Sequence, residues 1–403
     1  MAKKIINTTR FLDDLQGKNI NFLVGAGASA GLIRTLDIPL LEESFEDLYS
    51  LENLTSGQRK VLDFIWFQLW IKDTLVNREK FNEFSKKDDN RSKEKVKVIE
   101  NYINFVNNLA NFLDTEGYDK PKRANIFTTN YDSLFEFAFD KVSAKKRLVY
   151  FNDGSRGFFD RYISTENFNL NISHSAVTDN FQRSIPTINL LKIHGSITWD
   201  KSGDKIKVTM DPNVLENISK LASELNEEIS NYSIIYKVFF TNDLTVEENL
   251  QSKLLLQLVM FYTDHEDKIN AFITEYHKLQ VVNPTKEKFS ETVFQQNYYQ
   301  MLRMLSFELE KKNSVLIVFG FSFADEHIRE IIKRSLINPY LKVYIICYDK
   351  VTKEKIKDMF QDIQTNNIEY LPYSFEEEQY GQTSKIYGSF NYLNYLFDGS
   401  NNE

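Results

Sequence analysis

The sequence predicts an α/β fold in which helices cover a parallel β-sheet. Five short apolar runs, rich in β-branched and aromatic residues, are bounded by turn residues. Most of them are followed by residues with helical patterning, and buried parallel strands typically read as continuous apolar runs of this kind. Glycine is scarce in the chain but clusters directly after the first run. The five runs are residues 19–25, 124–128, 189–193, 314–319 and 342–348.

The first run leads into a segment that we call the glycine loop, residues 25–31, which holds three of the chain's 14 glycines. A glycine loop between a strand and a helix can bind pyrophosphate through backbone N–H groups and the helix dipole. Here Gly25 and Gly27 allow the turn, and the hydroxyl of Ser29 can donate to a phosphate. The spacing is Gly-x-Gly-x-x-x-Gly, which differs from the dinucleotide fingerprint Gly-x-Gly-x-x-Gly. Taken alone, the loop is compatible with a phosphate site or with a structural tight turn.

Polar side chains follow the second and third runs, where ligands bind in an open parallel sheet. Asn130 carries both a donor and an acceptor, so it can hold a water or a ribose hydroxyl. Asp132 can orient that amide, or it can cap a helix that begins near Ser133. His194 lies at a strand end beside a glycine and can act as a base on a sugar hydroxyl. The alternative for His194 is a hydrogen-bonded histidine of the core.

The fourth run ends at Gly320, and a helix is predicted from Asp325 because the segment starts acidic and then becomes amphipathic. The fifth run contains Cys347, the only cysteine, which we expect to be a buried thiol. A single cysteine excludes an intrachain disulfide and a Cys-x-x-Cys zinc site. It also fits a reducing compartment.

Helical patterning between the strands predicts two insertions, at about 43–118 and 212–310, within a single domain that spans residues 1–403. A hairpin is predicted at 199–208, just before the second insertion. The adjacent aromatic residues Trp66, Phe67 and Trp70 are compatible with an oligomer surface or with core packing.

The charge balance of the chain argues against nucleic-acid binding. The formal net charge is -8, whereas nucleic-acid-binding domains are usually basic. No stretch approaches the ~18 consecutive apolar residues of a membrane span, and the N-terminus lacks the apolar region of a signal peptide. We therefore expect a cytoplasmic protein without a membrane contact.

Three of these segments, taken together and in this order, resemble the sirtuin family. They are Gly-Ala-Gly-Ala-Ser at 25–29, Thr-Thr-Asn-Tyr-Asp at 128–132 and Lys-Ile-His-Gly-Ser at 192–196. The segment at 320–328, Gly-Phe-Ser-Phe-Ala-Asp-Glu-His-Ile, is similar to the late ribose-binding loop of bacterial sirtuin-like proteins from antiphage defence systems. The motifs span roughly residues 19–350.

The resemblance implies an NAD site on a Rossmann-like sheet, with NAD as a substrate and no metal. It makes Asn130, Asp132 and His194 the candidate catalytic residues, with Asn130 facing the nicotinamide ribose and a water and His194 contacting the ribose hydroxyls. Gly25, Ala26, Gly27 and Ser29 would hold the pyrophosphate, and Ser322 with its loop would meet the adenine ribose. The full set of candidate NAD-binding residues is Gly25, Ala26, Gly27, Ser29, Thr129, Gly320 and Ser322.

Departures from the deacetylating sirtuins narrow the expected activity. The four zinc-binding cysteines are missing, so there is no zinc module to form an acyl-lysine cleft. The Pro-Asp-Phe-Arg segment after the glycine loop is also missing, since Pro39 is followed by Leu40 and Leu41. These differences favour simple hydrolysis of NAD+ to nicotinamide and ADP-ribose. The alternatives are an NAD-dependent deacylase or ADP-ribosyltransferase, and a non-catalytic sensor that binds NAD or ADP-ribose.

The resemblance also implies that the activity is gated, because an unrestrained NAD hydrolase would kill its host. The expected gate is assembly into a homo-oligomer, often together with a hexameric HerA-like ATPase. The chain has no Gly-x-x-x-x-Gly-Lys-Ser/Thr motif, so an ATP-driven step would belong to that partner.

Overall fold

The computed structural model describes residues 8–34, 36–117, 120, 122–146, 148–175, 182–210, 213–241, 243, 245, 248–281, 292–379 and 382–398. The α-helices are α1 Thr8–Leu15, α2 Phe45–Tyr49, α3 Ser56–Trp66, α4 Arg78–Lys86, α5 Asn90–Thr115, α6 Leu134–Ser143, α7 Asn213–Ile229, α8 Ser233–Phe240, α9 Leu250–Asp264, α10 Glu266–Tyr276, α11 Thr292–Glu310, α12 Glu326–Ser335, α13 Lys350–Met359 and α14 Phe390–Asp398. The strands are β1 Asn19–Val24, β2 Asp37–Ile38, β3 Glu43–Ser44, β4 Arg123–Thr128, β5 Tyr150–Asn152, β6 Ser155–Arg156, β7 Arg161–Ile163, β8 Ser173–Ser175, β9 Gln182–Ser184, β10 Thr187–Lys192, β11 Gly195–Ser202, β12 Lys205–Val208, β13 Leu279–Val281, β14 Ser314–Phe319, β15 Leu341–Ile346, β16 Ile368–Leu371, β17 Glu376–Gln379 and β18 Gln382–Lys385. Among the described helices, none combines the length and apolar character needed to cross a membrane.

A seven-stranded sheet with the order β16-β15-β14-β1-β4-β10-β5 forms the centre of the molecule, and all its pairings are parallel. The predicted α/β fold and all five predicted strands are confirmed. From β1 the chain order runs outward through β14, β15 and β16 on one side and through β4 and β10 on the other, where the earlier strand β5 is added at the edge. This arrangement is Rossmann-like. The order reverses between β1 and β14, and this switch point is where such sheets bind their ligands.

Helices cover both faces of this sheet. On one face, α1, α5, α6 and α14 pack over side chains such as Phe22 and Ile126. On the other face, α11, α12 and α13 pack over Leu23, Phe127 and Cys347. Cys347 directly follows β15 and is buried as predicted, and burial raises the pKa of its thiol to about 12. Helix α12 begins where the sequence predicts it, with Asp325 as its N-cap.

A row of four asparagines crosses the face of the sheet that α11 covers. Asn21, Asn125, Asn189 and Asn152 are in register on β1, β4, β10 and β5. Each amide donates to the next one, over 2.9 Å from Asn152 to Asn189, 2.8 Å from Asn189 to Asn125 and 2.9 Å from Asn125 to Asn21. Asn21 continues the chain by donating to Ser314 on β14. Because a slip of the strands would bury unpaired amides, this asparagine ladder fixes their register.

Replacing Asn125 by leucine is expected to lower the free energy of unfolding by about 2–3 kcal/mol, because the buried oxygen of Asn21 loses its donor. Urea unfolding of wild type and variant measures the difference. The matched control is Asn231→Leu, the same change at an exposed residue after α7, which should cost less than about 0.5 kcal/mol. Equal stability of the two variants would show that the ladder contributes nothing.

The helices outside the sheet form one separate core, which we call the helical module. It joins α2, α3 and the π-helical turn Phe67–Ile71 from the first predicted insertion with α7 to α10 from the second. From the rest of the first insertion, α5 packs on the sheet and α4 packs on α5. Helix α11 from the second insertion also packs on the sheet. Residues 282–291 of the second insertion lie outside the described residues. Trp66, Phe67 and Trp70 are buried in the module, so the core-packing interpretation of these aromatics is the correct one.

A small antiparallel sheet, with the order β13-β11-β12-β7-β6, stands beside the central one. It contains the predicted hairpin as β11 and β12, in which Trp199 pairs with Val208. Strand β11 begins directly after His194, and its residue Ile197 packs into the helical module. The small sheet therefore connects the carboxyl end of β10 to the helical module.

The helical module contains a buried carboxyl group whose ionisation opposes folding. Asp63 is 5% exposed, accepts a hydrogen bond of 2.8 Å from the Tyr49 hydroxyl, and desolvation raises its pKa to about 7. Since the folded-state pKa lies above the unfolded one, Asp63 contributes stability that is fully present below about pH 4 and is lost as pH rises through about 7.

We therefore expect wild type to lose about 2–3 kcal/mol of unfolding free energy through Asp63 between pH 5 and pH 8. Asp63→Asn keeps the acceptor for Tyr49 but cannot ionise, so its stability should fall correspondingly less over the same interval. Urea unfolding of both proteins at the two pH values measures this difference. Parallel pH dependences would mean that Asp63 is not the group responsible.

Candidate functional site

Four loops meet at the carboxyl ends of β14, β1, β4 and β10. They are the glycine loop, the Asn130 loop (residues 128–132), the His194 loop (193–196) and the Asp325 loop (320–325). Backbone hydrogen bonds join neighbouring loops. Gly27 N–H donates to the Gly320 carbonyl over 2.8 Å, Thr129 N–H to Val24 over 3.1 Å, and Ile193 N–H to Thr128 over 3.0 Å. The segments predicted from the sequence to form one site are thus side by side at the switch point.

The glycine loop fits directly against the Asp325 loop. A Cβ atom at Gly25 would lie 2.6 Å from the Gly320 carbonyl oxygen, and one at Gly27 would lie 2.9 Å from the Gly320 Cα. Gly320 has a φ of +64°, and a Cβ there would lie 2.4 Å from the Ala28 nitrogen. These glycines are therefore required for backbone-to-backbone packing. The chain continues as a single 3-10 turn at Ala26–Ser29 and the next α-helix begins at Phe45, so the helix dipole expected behind this loop is missing.

Ser29 is 1% exposed and belongs to a buried polar network. Its hydroxyl donates to Asp132 Oδ2 over 2.9 Å and lies 2.8 Å from the Tyr102 hydroxyl on α5. Asn130 Nδ2 donates to the same Ser29 oxygen over 3.2 Å and to the Gly25 carbonyl over 3.2 Å. The structure thus places Ser29 behind the Asn130 amide, and its hydroxyl orients this amide and Asp132.

Asp132 hydrogen-bonds the first residue of α6 and is connected to Asn130 only through Ser29. One carboxylate oxygen accepts from Ser29, and the other accepts from the backbone N–H of Leu134 over 3.1 Å at the start of α6. Desolvation raises its pKa, and the positive charge of Lys192 opposes this shift. Asp132 therefore links the first turn of α6 to the side chains that hold Asn130.

Lys192, the last residue of β10, holds the Asn130 loop through its buried ammonium group. Its side chain is 3% exposed and its ammonium group lies 2.7 Å from Glu136 Oε1 on α6. The same ammonium donates to the Asp132 carbonyl and, over 3.1 Å, to the Ser196 hydroxyl. Desolvation raises the pKa of Glu136, and Lys192 counteracts it. One buried cation thus joins the backbone of the Asn130 loop to a side chain of the His194 loop.

His194 faces a carboxylate across the site. Its Nε2 lies 3.0 Å from Oδ2 of Asp325, while Oδ1 of Asp325 accepts the backbone N–H groups of His327 and Ile328 as the N-cap of α12. The histidine is 9% exposed. A carboxylate that is fixed by a helix end in this way can hold the imidazole in one orientation.

The part of the site that solvent can reach lies in front of these buried groups. Ala26 and Gly27 are exposed at the tip of the glycine loop, Ser322 is exposed in the Asp325 loop, and Thr129 is half-buried. No group of three or more His, Cys, Asp or Glu side chains suited to a metal ion is found in the part of the chain that the structure describes.

Four residues of the site were not predicted from the sequence to have a functional role. Asp325 was predicted only as a helix start, and Tyr102 was one of several aromatic residues at helical spacing in α5. Lys192 lies in the segment 192–196, but the sequence assigns it no role there. For Glu136 the sequence indicates only an acidic residue in the first turn of a helix. Only Lys192 had a sequence signal that could have identified it, because it is a charged residue at the end of an otherwise apolar strand.

Comparison with known proteins supports a sirtuin-like site. A family model for the SIR2-like domain matches residues 124–236. The match includes Asn130, Asp132 and His194, whereas the glycine loop precedes it and the Asp325 loop follows it. It supports a sirtuin-like domain, an NAD-related function and an NAD-dependent enzyme, since this family uses NAD as a substrate. No curated protein matches the chain significantly.

Proposed function

We propose that this protein is an NAD+ hydrolase that releases nicotinamide and ADP-ribose. The observation that carries the proposal is the contact of 3.0 Å between His194 and Asp325, next to Asn130 at the switch point of the sheet. A histidine oriented by a carboxylate is suited to act as a general base. The match to a SIR2-like domain supports NAD+ as the compound on which this base acts.

The exposed groups of the site fit a dinucleotide that lies across the switch point. Ala26 and Gly27 are exposed and carry no bulky side chain, so a pyrophosphate can approach the backbone closely there. The exposed hydroxyl of Ser322 is available for the adenine ribose. Asn130 and His194 then face the nicotinamide ribose from the β4 and β10 side of the site.

In the proposed reaction the bond between ribose C1′ and the nicotinamide nitrogen breaks, and its electron pair neutralises the pyridinium ring. The oxygen of a water forms the new bond to C1′, and His194 accepts the proton that this water loses. Asn130 Nδ2 is engaged by Gly25 and Ser29, so its carbonyl oxygen is the acceptor left to place the water. Because the leaving group departs neutral, orientation and electrostatics provide most of the acceleration.

The proposed biological role is antiphage defence in the cytoplasm by depletion of NAD+. It rests on the similarity of residues 320–328 to defence-associated sirtuin-like proteins and on the departures from deacetylases. We further propose gating by homo-oligomerisation, with a HerA-like ATPase as the candidate partner. Because Trp66, Phe67 and Trp70 are buried, such an interface would have to use other residues.

The test is incubation of the purified protein with NAD+, alone and with the candidate ATPase, followed by chromatography of the products. We expect equal amounts of nicotinamide and ADP-ribose. An absence of both products under both conditions would contradict hydrolysis. Nicotinamide release that requires an acyl-lysine peptide would identify a deacylase, ADP-ribose attached to protein would identify a transferase, and tight binding of intact NAD+ would identify a sensor.

A further inference from the structure

A cavity of about 270 Å³ lies at the amino ends of the central strands, at the opposite edge of the sheet from His194. The first residues of three strands line it, namely Asn19 of β1, Arg123 of β4 and Thr187 of β10. Helix α11 forms another wall through Glu308 and Lys311. The cavity is therefore separated from the candidate active site by the full length of the strands.

The charge on the described walls of this cavity is mainly positive. Lys120, Lys122, Arg123 and Lys311 line it, and Glu308 is the one carboxylate among the described lining residues. The ammonium group of Lys311 lies 2.6 Å from Oε1 of Glu308, so these two charges largely neutralise each other. The positive charges of Lys122 and Arg123 remain.

Lys122 and Arg123 are desolvated cations that form no ion pair within the described residues. Lys122 is buried, with 7% of its surface exposed, and its ammonium group donates to the backbone carbonyl of Asp114 over 3.0 Å. Arg123 is half-buried and donates to the Leu170 carbonyl over 2.9 Å, while its buried Nε has no hydrogen-bond partner. Desolvation lowers the pKa of Arg123, and the negative charge of Glu308 opposes this shift. Since desolvation of two adjacent cations is costly, an anion that enters the cavity gains their attraction.

We propose that this cavity is a second ligand site, for a small molecule that carries a phosphate group. The planar guanidinium of Arg123 suits a phosphate, and Lys122 adds a second charge-assisted donor beside it. The cavity exceeds the needs of a single phosphate but is below the ~300–1,000 Å³ of pockets for drug-sized ligands. The fitting class is thus a sugar phosphate, whose hydroxyls can meet the polar side chains of Asn19 and Ser184. This inference does not rest on the proposed NAD+ hydrolysis.

Isothermal titration calorimetry of the full-length protein with ribose 5-phosphate, and separately with inorganic phosphate, tests the site. We expect ribose 5-phosphate to bind more tightly, and each of Lys122→Met and Arg123→Met to weaken it about tenfold or more. Circular dichroism should show that both methionine variants are folded, because neither change breaks an ion pair or leaves a buried charge without its partner. Arg123→Lys keeps the charge without the guanidinium fork and should also bind more weakly, which tests the site if a methionine variant does not fold.

Two controls separate this site from others. Lys355→Met removes an exposed lysine on α13 and should leave binding unchanged. His194→Ala alters the opposite edge of the sheet and should also leave it unchanged. Failure of ribose 5-phosphate to bind wild type, or binding that survives all three changes at Lys122 and Arg123, would overturn the proposal. Binding of inorganic phosphate with no binding of the sugar phosphate would overturn the assigned ligand class.

Discussion

Replacing His194 by alanine is expected to lower kcat for NAD+ hydrolysis by about 10²–10⁴-fold, the contribution of a positioned general base. The imidazole is the group that contacts Asp325 at 3.0 Å, so its removal takes away the proton acceptor of the proposed reaction. Steady-state release of nicotinamide measures the effect, and circular dichroism confirms that the variant is folded. Full activity of folded His194→Ala would remove this histidine from the mechanism.

Asp325→Asn tests the orienting role separately from the chemistry. An asparagine can still cap α12, but its neutral amide is a weaker partner for the imidazole than a carboxylate. We expect kcat to fall about 10- to 100-fold, the range found for outer partners that orient a functional histidine.

Asp349→Asn is the matched control for this substitution. Asp349 is the N-cap of α13, accepts from the Thr352 N–H over 2.8 Å, and follows the neighbouring strand β15. Both variants therefore lose a charge at a helix N-terminus, but only one loses the partner of His194. If the two variants show the same small loss of activity, Asp325 acts only as a cap.

Replacing Lys192 by methionine is expected to lower the free energy of unfolding by about 3–5 kcal/mol, as for other broken buried ion pairs. The change leaves the Glu136 carboxylate buried without its cation and removes the donor that holds the Asp132 carbonyl. Because the loss of Lys192 raises the pKa of both carboxyl groups further, the variant should be less destabilised at pH 5 than at pH 8. Urea unfolding at the two pH values measures both effects.

The double variant Lys192→Met with Glu136→Gln should recover much of the loss, because no uncompensated charge remains at position 136. The control is Lys87→Met, which breaks an exposed ion pair of 2.6 Å with Glu83 and should lower the free energy of unfolding far less. A cost for Lys192→Met no larger than for this control would show that the buried cation does not support the loops.

The sequence was sufficient to predict the central strands and the edge of the sheet at which the site lies. Buried parallel strands are continuous apolar runs, and the polar residues after them, Asn130 and His194, necessarily lie at a common edge. What the sequence left open depends on contacts between distant residues. The spacing along the chain does not reveal that Asn21, Asn125 and Asn189 share one register, or that the two insertions contribute to one helical core.

Within the site, the sequence likewise does not reveal the long-range contacts of side chains that have two functions. Asp325 reads as a helix cap because its local sequence explains that role completely, and nothing nearby indicates that its second oxygen meets His194. Tyr102 reads as one more apolar residue of α5, since a buried hydroxyl differs from a core aromatic only through its partners. The roles of Asn130, Asp132 and Ser29 in NAD binding and catalysis remain predictions for the variants to test.

The contact between the glycine loop and Gly320 has a consequence for the timing of synthesis. Translation proceeds at about 5–20 residues per second and domains fold as their segments emerge. A nascent chain that has not yet reached Gly320 has no backbone wall against which the glycine loop can pack, and no Asp325 to hold His194. Since β14 also supplies one side of the switch point, the site is completed late in synthesis. If the chain degrades NAD+ as we propose, unfinished chains on the ribosome are harmless to the cell that makes them.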